Sequence, residues 1–430
     1  MNRSAQAKVE PRPGWRPASG LRIERHRATM AHLAAVYPFH TDDSVGERGP
    51  YIGVNITGGG SGFFYDPFEL YNAGHLTNPN VLVVGDIGSG KSALVKAFLG
   101  RELAVYGDRR MITILDPKGE YGQFARAHGL PVIRLRPGGT DRLNPMDTRG
   151  DPTETVQRQS LATALVAGVL GRPLDPTEDA VLGWAIGSLA RTGAPFTLAD
   201  VAAVVADPAD ELVTLSRRTP LELTHAATPV IFAIDKLLTR TLAGMFDGPT
   251  SVAVDWTNGP GFVIDLSAVY NDDEALPLVM LAATSWLAGA LQRDSQRRVV
   301  QVIDEAWAAV RYGARHFQGS LKLSRTFGVS TWLVCHRPAD LTAQADDGSS
   351  TAKIAAGLLS DIQTRVIHRQ PPDQVDIATE MFGLSDRERE WCGQLVRGRA
   401  LWRLQRRGAL AHTVLSRAEQ EVCFTDQAMA

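Results

Sequence analysis

The chain is poor in cysteine and lysine and carries almost no net charge. Its three cysteines, Cys335, Cys392 and Cys423, have no metal-ligand spacing and cannot all pair. That excludes a disulfide framework and a zinc site, and makes reduced thiols the default. A net charge of −2 argues against a uniformly basic nucleic-acid binder, although a local basic channel is compatible with it. Lysine is scarce beside arginine, as in a GC-rich coding sequence. The first residues carry charges but no apolar core, so no signal peptide is expected. The longest uncharged run, Ala275–Gln292, only reaches the lower edge of a membrane span. It contains Pro277, Thr284, Ser285 and Gln292, follows acidic residues, and has capping groups at Ser267, Asp272 and Asp273. A buried helix packed on a sheet explains it better, and the chain reads as soluble. With 430 residues, 44% hydrophobic and 21% charged, the composition is that of a globular protein of two or three domains.

What is present centres on one stretch. Val81–Val84 run directly into Gly85-Asp86-Ile87-Gly88-Ser89-Gly90-Lys91-Ser92, and helical periodicity continues from Ala93 to Leu99. Gly85, Gly90, Lys91 and Ser92 fit the phosphate-loop pattern in its strand–loop–helix setting. Glycines let successive backbone N–H groups converge on a polyphosphate, and the following helix presents its positive end to the same oxygens. Lys91 is expected at the β- and γ-phosphates and Ser92 on Mg²⁺, so residues 85–93 form the candidate site for a nucleoside triphosphate.

The rest of the chain organises around that loop. Residues 1–50 read as a loose tail with a remnant of an amino-terminal region. Tyr51–Ile56 and Gly62–Tyr65 alternate like a hairpin. Strands at Met111–Leu115 and Pro131–Leu135 complete the first part of an α/β core, over 51–150. From 151 to 250 the pattern turns helical, with helices expected at Glu154–Leu170, Asp175–Leu189, Thr197–Ala206, Ala209–Ser216 and Pro229–Gly244. This region reads as an all-helical insertion, with helices packed on the sheet itself as the alternative. Strands resume over 251–417, at Gly261–Leu266, Val299–Ile303, Ser330–Cys335, Thr364–Ile367 and Arg399–Trp402. Residues 418–430 look like a helical or frayed tail. Strands alternating with helices predict a mostly parallel, helix-covered sheet, whose carboxyl ends line the ligand crevice.

Several polar groups fall at those ends. Val299–Ile303 run into Asp304 and Glu305, the Walker B arrangement: Asp304 for Mg²⁺, Glu305 to polarise the attacking water. Asp116-Pro117-Lys118-Gly119-Glu120-Tyr121 follows another strand, and either a local Lys118–Glu120 ion pair or a catalytic or coupling role for Glu120 suits it. Arg325 reads either as a solvated helix-end charge or as a guanidinium reaching the γ-phosphate of a neighbouring subunit. His336 ends the Trp332–Cys335 strand, as a sensor of the γ-phosphate or as a strand cap. The basic pairs Arg109-Arg110, Arg297-Arg298 and Arg406-Arg407 read as solvated loop charges.

Taken in order, Gly85–Ser92, Asp116–Tyr121, Leu143-Asn144-Pro145-Met146-Asp147, Phe246-Asp247-Gly248-Pro249-Thr250, Asp265-Leu266-Ser267 and Asp304-Glu305-Ala306-Trp307 form a recognisable set. The set resembles the motor domain of the type IV secretion and conjugation ATPases of the VirB-four/TraC kind, within the HerA/FtsK superfamily, over roughly Tyr51 to Arg399. The resemblance implies a RecA-like α/β P-loop NTPase core with an all-α insertion, binding ATP and Mg²⁺ through Lys91, Ser92, Asp304 and Glu305. It makes Arg325 an arginine finger. It implies a hexameric ring at the cytoplasmic face of the cell membrane. Its partners would be membrane-embedded channel proteins, with DNA or a relaxase–DNA complex as a further partner. Two departures stand out: His336 replaces the usual glutamine, and about fifty residues stand where relatives have a long amino-terminal domain, which implies a separate polypeptide in its place or a different docking mode. The expected function is an ATP-hydrolysing motor for channel or pilus assembly and substrate export. A DNA-translocating ATPase of the coupling-protein or HerA type, and an ATP-binding scaffold with little turnover, are the alternatives.

Overall fold

Short runs of β-branched and aliphatic residues form the strands, and their order in space differs from their order in the chain. The computed structural model describes residues 49–57, 59–147, 152–207, 213–214, 216–294, 297–323, 326–340, 357, 361–405 and 407–424. Among the described residues seven strands are parallel: β3 (Val81–Val84), β4 (Arg110–Asp116), β5 (Val132–Arg134), β6 (Gly261–Asp265), β7 (Arg298–Ile303), β8 (Val329–Cys335) and β9 (Thr364–Ile367). They lie in the order β9-β3-β8-β7-β4-β6-β5. The hairpin β1 (Tyr51–Asn55) and β2 (Ser61–Phe64) joins them through β10 (Arg399–Leu404) and β11 (Arg407–Thr413), all antiparallel, to give an eleven-stranded sheet.

The parallel strands are apolar throughout because both faces are covered. Val81 and Val83 point to one face, with Ile112, Ile114, Val300 and Val302, against the helix α2 (Lys91–Tyr106). On that face Phe98 of α2 stacks on Trp332 at 4.2 Å between ring centroids, and Tyr65 bridges to Trp402 at 5.0 Å. Leu82 and Val84 point the other way, with Met111, Leu115, Val299 and Ile303, against α8 (Ala275–Asp294) and α9 (Ala306–Leu323). Among the described residues α8 is the one helix long and apolar enough to cross a membrane, and 83% of its apolar stretch is buried inside the fold. Asp272 caps its start, donating no charge to the core but accepting the Ala275 N–H at 2.8 Å. The expectation of a buried core helix holds.

The helical region differs in detail from expectation. The helices α4 (Pro152–Leu170), α5 (Pro176–Arg191), α6 (Leu198–Ala206) and α7 (Pro220–Lys236) pack on one another, and α4 packs on α8 and α9. Their apolar side chains join the core of that sheet face, so they form a second helical layer over α8 and α9. The capping box of α5, between Asp175 and Glu178, forms as its sequence predicts. The helix expected over Pro229–Gly244 instead starts at Pro220 and ends in a wide turn at Leu237–Thr241. Thr219-Pro220-Leu221-Glu222 is a complete start signal, with a second capping box, and outweighs the one ladder bond that Pro229 removes inside the helix. The helix expected at Ala209–Ser216 lies mostly outside the described residues. The chain leaves and re-enters the core side by side: Leu143 N donates to Met245 C=O at 2.9 Å, and Thr250 Oγ1 to Asp147 Oδ2 at 2.6 Å. Three shorter helices follow the parallel strands: α10 (Pro372–Phe382), α11 (Asp386–Gln394) and α12 (Arg417–Cys423). The last of these is docked on α2, where Arg101 forms a two-pronged pair with Glu419 at 2.6 and 2.8 Å.

Arg110, expected in a solvated pair, is buried. It opens β4 between Asp66 at 2.6 Å and Glu102 at 2.7 Å, and lies over the rings of Phe68 and Tyr106. Asp66 also caps α1 (Pro67–Asn72), and Glu102 belongs to α2, so this cluster ties the phosphate-loop helix to the sheet. Two buried carboxyls face one guanidinium. Burial first, and Asp66 second, push the Glu102 carboxyl up to about 9 against the pull of Arg110. A carboxyl raised on folding stabilises the fold below its unfolded value and loses that contribution as pH rises through its folded value. Stability is therefore expected to fall between about pH 4.5 and 9, and Glu102→Gln should flatten that slope in denaturant titrations across the range.

Candidate active site

Asp86 through Gly90 wrap around the end of β3, and both neighbouring strands fix the wrap. Gly85 N–H donates to His336 C=O at 3.2 Å beyond β8, and Asp86 N–H to Arg369 C=O at 2.8 Å beyond β9. A side chain at Gly85 would meet the His368 Cβ at 2.4 Å. Gly90 sits at φ +105°, where a side chain would also meet the Gly398 N at 3.0 Å, and opens α2. The Ser89 carbonyl accepts from Gly398 N–H at 3.1 Å and from His368 Nδ1 at 3.2 Å. Burial, and then Lys91, push His368 down to about 3, which keeps it neutral with its proton on Nδ1. The first-turn amides of α2, which lack acceptors within the helix, open into this loop. Lys91 folds back beneath it, donating to the carbonyls of Gly85 at 2.5 Å and Asp86 at 2.9 Å. Burial lowers its ammonium to about 8, although Asp304 and Glu305 pull upward.

Only β8 separates β3 from β7, so the acids that end β7 face the loop across His336. Asp304 is buried, and burial together with the adjacent Glu305 charge pushes it up to about 7. Glu305 takes the left-handed conformation at φ +50°, costly for a residue with a Cβ, and its N–H donates to Asp304 Oδ1 at 3.0 Å. That turn directs its carboxylate into a cluster. Trp307 Nε1 donates to Oε2 at 2.5 Å, while Lys118 Nζ and His336 Nε2 lie 2.5 and 2.9 Å from Oε1. Burial opposes the Glu305 charge, but His336 and Lys118 outweigh it and hold the carboxyl at about 2. Lys118 shifts opposite to Lys91: burial lowers it, yet its pair with Glu305 raises it on balance. The imidazole lies between the two lysines, with Lys91 Nζ 3.3 Å from Nδ1 and Lys118 Nζ 2.7 Å from Nε2. An ammonium only donates and a neutral imidazole accepts at a single nitrogen, so the ring takes a hydrogen bond from just one of the two lysines.

Lys118 reaches this point because its turn is rigid. The Asp116 carboxylate accepts the N–H groups of Gly119, Glu120 and Tyr121 at 2.9, 3.1 and 2.8 Å. Beneath the turn, the buried Lys96 ammonium donates to Glu120 C=O at 2.8 Å and lies over the Tyr121 ring. Glu120 thus contributes through its backbone, and Lys118 pairs with Glu305 rather than with Glu120. Strand-end position singled out the turn; what the sequence did not show was which side chain enters the site. Arg325 lies outside the described residues. Ser92 and Asp304 offer oxygen donors only, which suits Mg²⁺, an ion that completes its shell with phosphate oxygens and water. Asp116→Ala removes the acceptor for three amides, and is expected to cost about 1–3 kcal/mol in chemical denaturation.

Comparison with known proteins bears on the fold. The profile of the HerA helicase central domain matches residues 73–282, which include the loop and the helices α4 to α7. The solved structure of VirB4 of Thermoanaerobacter pseudethanolicus superposes with a TM-score of 0.72 at 20% identity, covering 88% of this chain and 99% of that one. The bacterial conjugative coupling protein TrwB follows at 0.59 and 16%, covering 86% and 90%. TrwB in complex with ADP and Mg²⁺ gives 0.58 and 17%, covering 88% and 93%. No curated protein sequence matches the chain. Residues 73–282 therefore match the central domain of the helicase HerA, and the fold of the chain is that of VirB4 and TrwB, an α/β fold of the RecA-like P-loop NTPase kind.

Proposed function

We propose that the protein is an ATP-hydrolysing motor of a conjugation or type IV secretion system, acting as a hexameric ring at the cytoplasmic face of the membrane. It would couple hydrolysis to channel or pilus assembly and substrate export with membrane-embedded channel proteins. The observation that carries the reading is the meeting of loop and acids: Lys91 and Glu305 approach opposite edges of the His336 ring. Likeness to VirB4 over nearly its whole solved length supports the secretion setting.

In this reading Lys91 and the loop amides bind the phosphates, and Ser92 and Asp304 hold Mg²⁺. The ion, when bound, neutralises charge developing on the transferred phosphoryl group and restores the ionised form of Asp304. Glu305 orients and polarises the attacking water. Arg325 of a neighbouring subunit supplies a guanidinium to the γ-phosphate. A second reading, a DNA translocase, is favoured by the helicase profile and by the likeness to a coupling protein.

Hydrolysis assays separate these. Lys91→Ala should abolish nucleotide binding, whereas Glu305→Gln should keep binding and lose roughly 100-fold or more in turnover. Unchanged turnover in Glu305→Gln would sink the catalytic assignment. If Arg325 acts between subunits, specific activity should climb with protein concentration and Arg325→Ala should remove that rise. Stimulation by double-stranded DNA, with binding that weakens steeply with salt, would favour the translocase.

A further inference from the structure

Glu305 cannot act on water in the arrangement described above. Its Oε2 is taken by Trp307 Nε1, and its Oε1 faces both Lys118 Nζ and His336 Nε2. The carboxylate is 3% exposed, so solvent does not compete for it. Lys118 is 18% exposed and hangs by a flexible four-carbon stem from a turn that Asp116 holds rigid. Its ammonium and that of Lys91 flank a single imidazole ring. Lys91 marks where the β- and γ-phosphates lie in a phosphate loop. A γ-phosphate held by Lys91 would therefore lie across one imidazole ring from the Lys118 ammonium.

The geometry points to Lys118 as a nucleotide-responsive latch: without a γ-phosphate it pairs with Glu305 and holds the base inactive, and with a triphosphate bound it moves to the γ-phosphate and frees Glu305 for water. This inference rests on the reading of the site as a hydrolytic one. Taking a cation away from a buried carboxylate is strongly unfavourable unless a second anion receives it. A γ-phosphate, with more charge and more acceptor oxygens than a carboxylate, is such an anion. Once released, Glu305 keeps the His336 and Trp307 contacts that aim it. A diphosphate has no group at that position and leaves the latch closed. Lys118 would thereby make the site distinguish ATP from ADP before any bond breaks.

Calorimetric titration with Mg²⁺–ADP and with a non-hydrolysable Mg²⁺–ATP analogue tests this on the full chain. Lys118→Met is expected to weaken the analogue roughly tenfold and to leave ADP within about twofold. Glu305→Gln loosens the resting pair, so the analogue should bind severalfold more tightly, and adding Lys118→Met should remove that gain. Lys118→Arg, which keeps a cation, should retain most of the discrimination, and thermal melts followed by circular dichroism verify that each variant is folded. Equal loss for both nucleotides in Lys118→Met, or additive effects of the two substitutions, would overturn the latch alone. Nucleotide binding that survives Lys91→Ala would overturn the latch together with the hydrolytic reading.

Discussion

Burial of the parallel strands on both faces constrains everything else in this protein. A strand covered above and below admits few polar side chains, so ionisable groups are forced to the strand ends. At the carboxyl ends of β3, β4, β7, β8 and β9 the chain places Gly85, Asp116, Asp304, His336 and His368, all within one crevice. The strand order decides which of them meet. Because β8 lies between β3 and β7, its terminal histidine stands between the phosphate loop and the acid pair, touching a lysine on one side and a carboxylate on the other.

That crevice concentrates charge in a dry environment. The chain has seven lysines, and three of them, Lys91, Lys96 and Lys118, surround the site. Their environments differ: Lys96 is matched to a carbonyl and an aromatic face, Lys118 to a carboxylate, and Lys91 to two carbonyl oxygens and an imidazole edge. Burial therefore lowers Lys91 and Lys96 while Lys118 rises. Among the acids the same split holds, since Glu305 has cationic partners and Asp304 bears the like charge of its neighbour. Groups pushed apart in this way inside one crevice mark a candidate functional site.

Distant segments close on the loop. Gly398 and His368, nearly three hundred residues or more beyond Ser89, hold its carbonyl in place. Arg101 on the loop's helix ties β1, β11 and α12 through the carbonyls of Tyr51, Ile52 and Val414 and the carboxylate of Glu419. Arg110 ties the same helix to β4 and to the cap of α1. The antiparallel extension of the sheet thus buttresses the phosphate loop, and the helical layer on the opposite face shares the core that supports β3 and β7.

The strands, the loop, the acid pair and the buried helix were legible in the sequence because each is a local pattern: an apolar run, glycines at fixed spacing, acids after a strand, a capped uncharged stretch. Capping boxes fixed the start of α5 equally well, and the same signal at Thr219 marks where α7 begins. Pairing across the chain was not legible. Nothing local distinguishes Arg110, buried between two carboxyls, from its solvated neighbour Arg109. Nothing in Asp-Pro-Lys-Gly-Glu-Tyr tells that the lysine enters the site while the glutamate contributes its backbone. Those outcomes depend on which strand ends lie side by side, and strand order is set by burial of the whole sheet. The sequence by itself determined that a phosphate loop and a pair of acids exist; tertiary structure decided that Lys118 and His336 stand between them, because only packing brings residues two hundred apart within reach of one carboxylate.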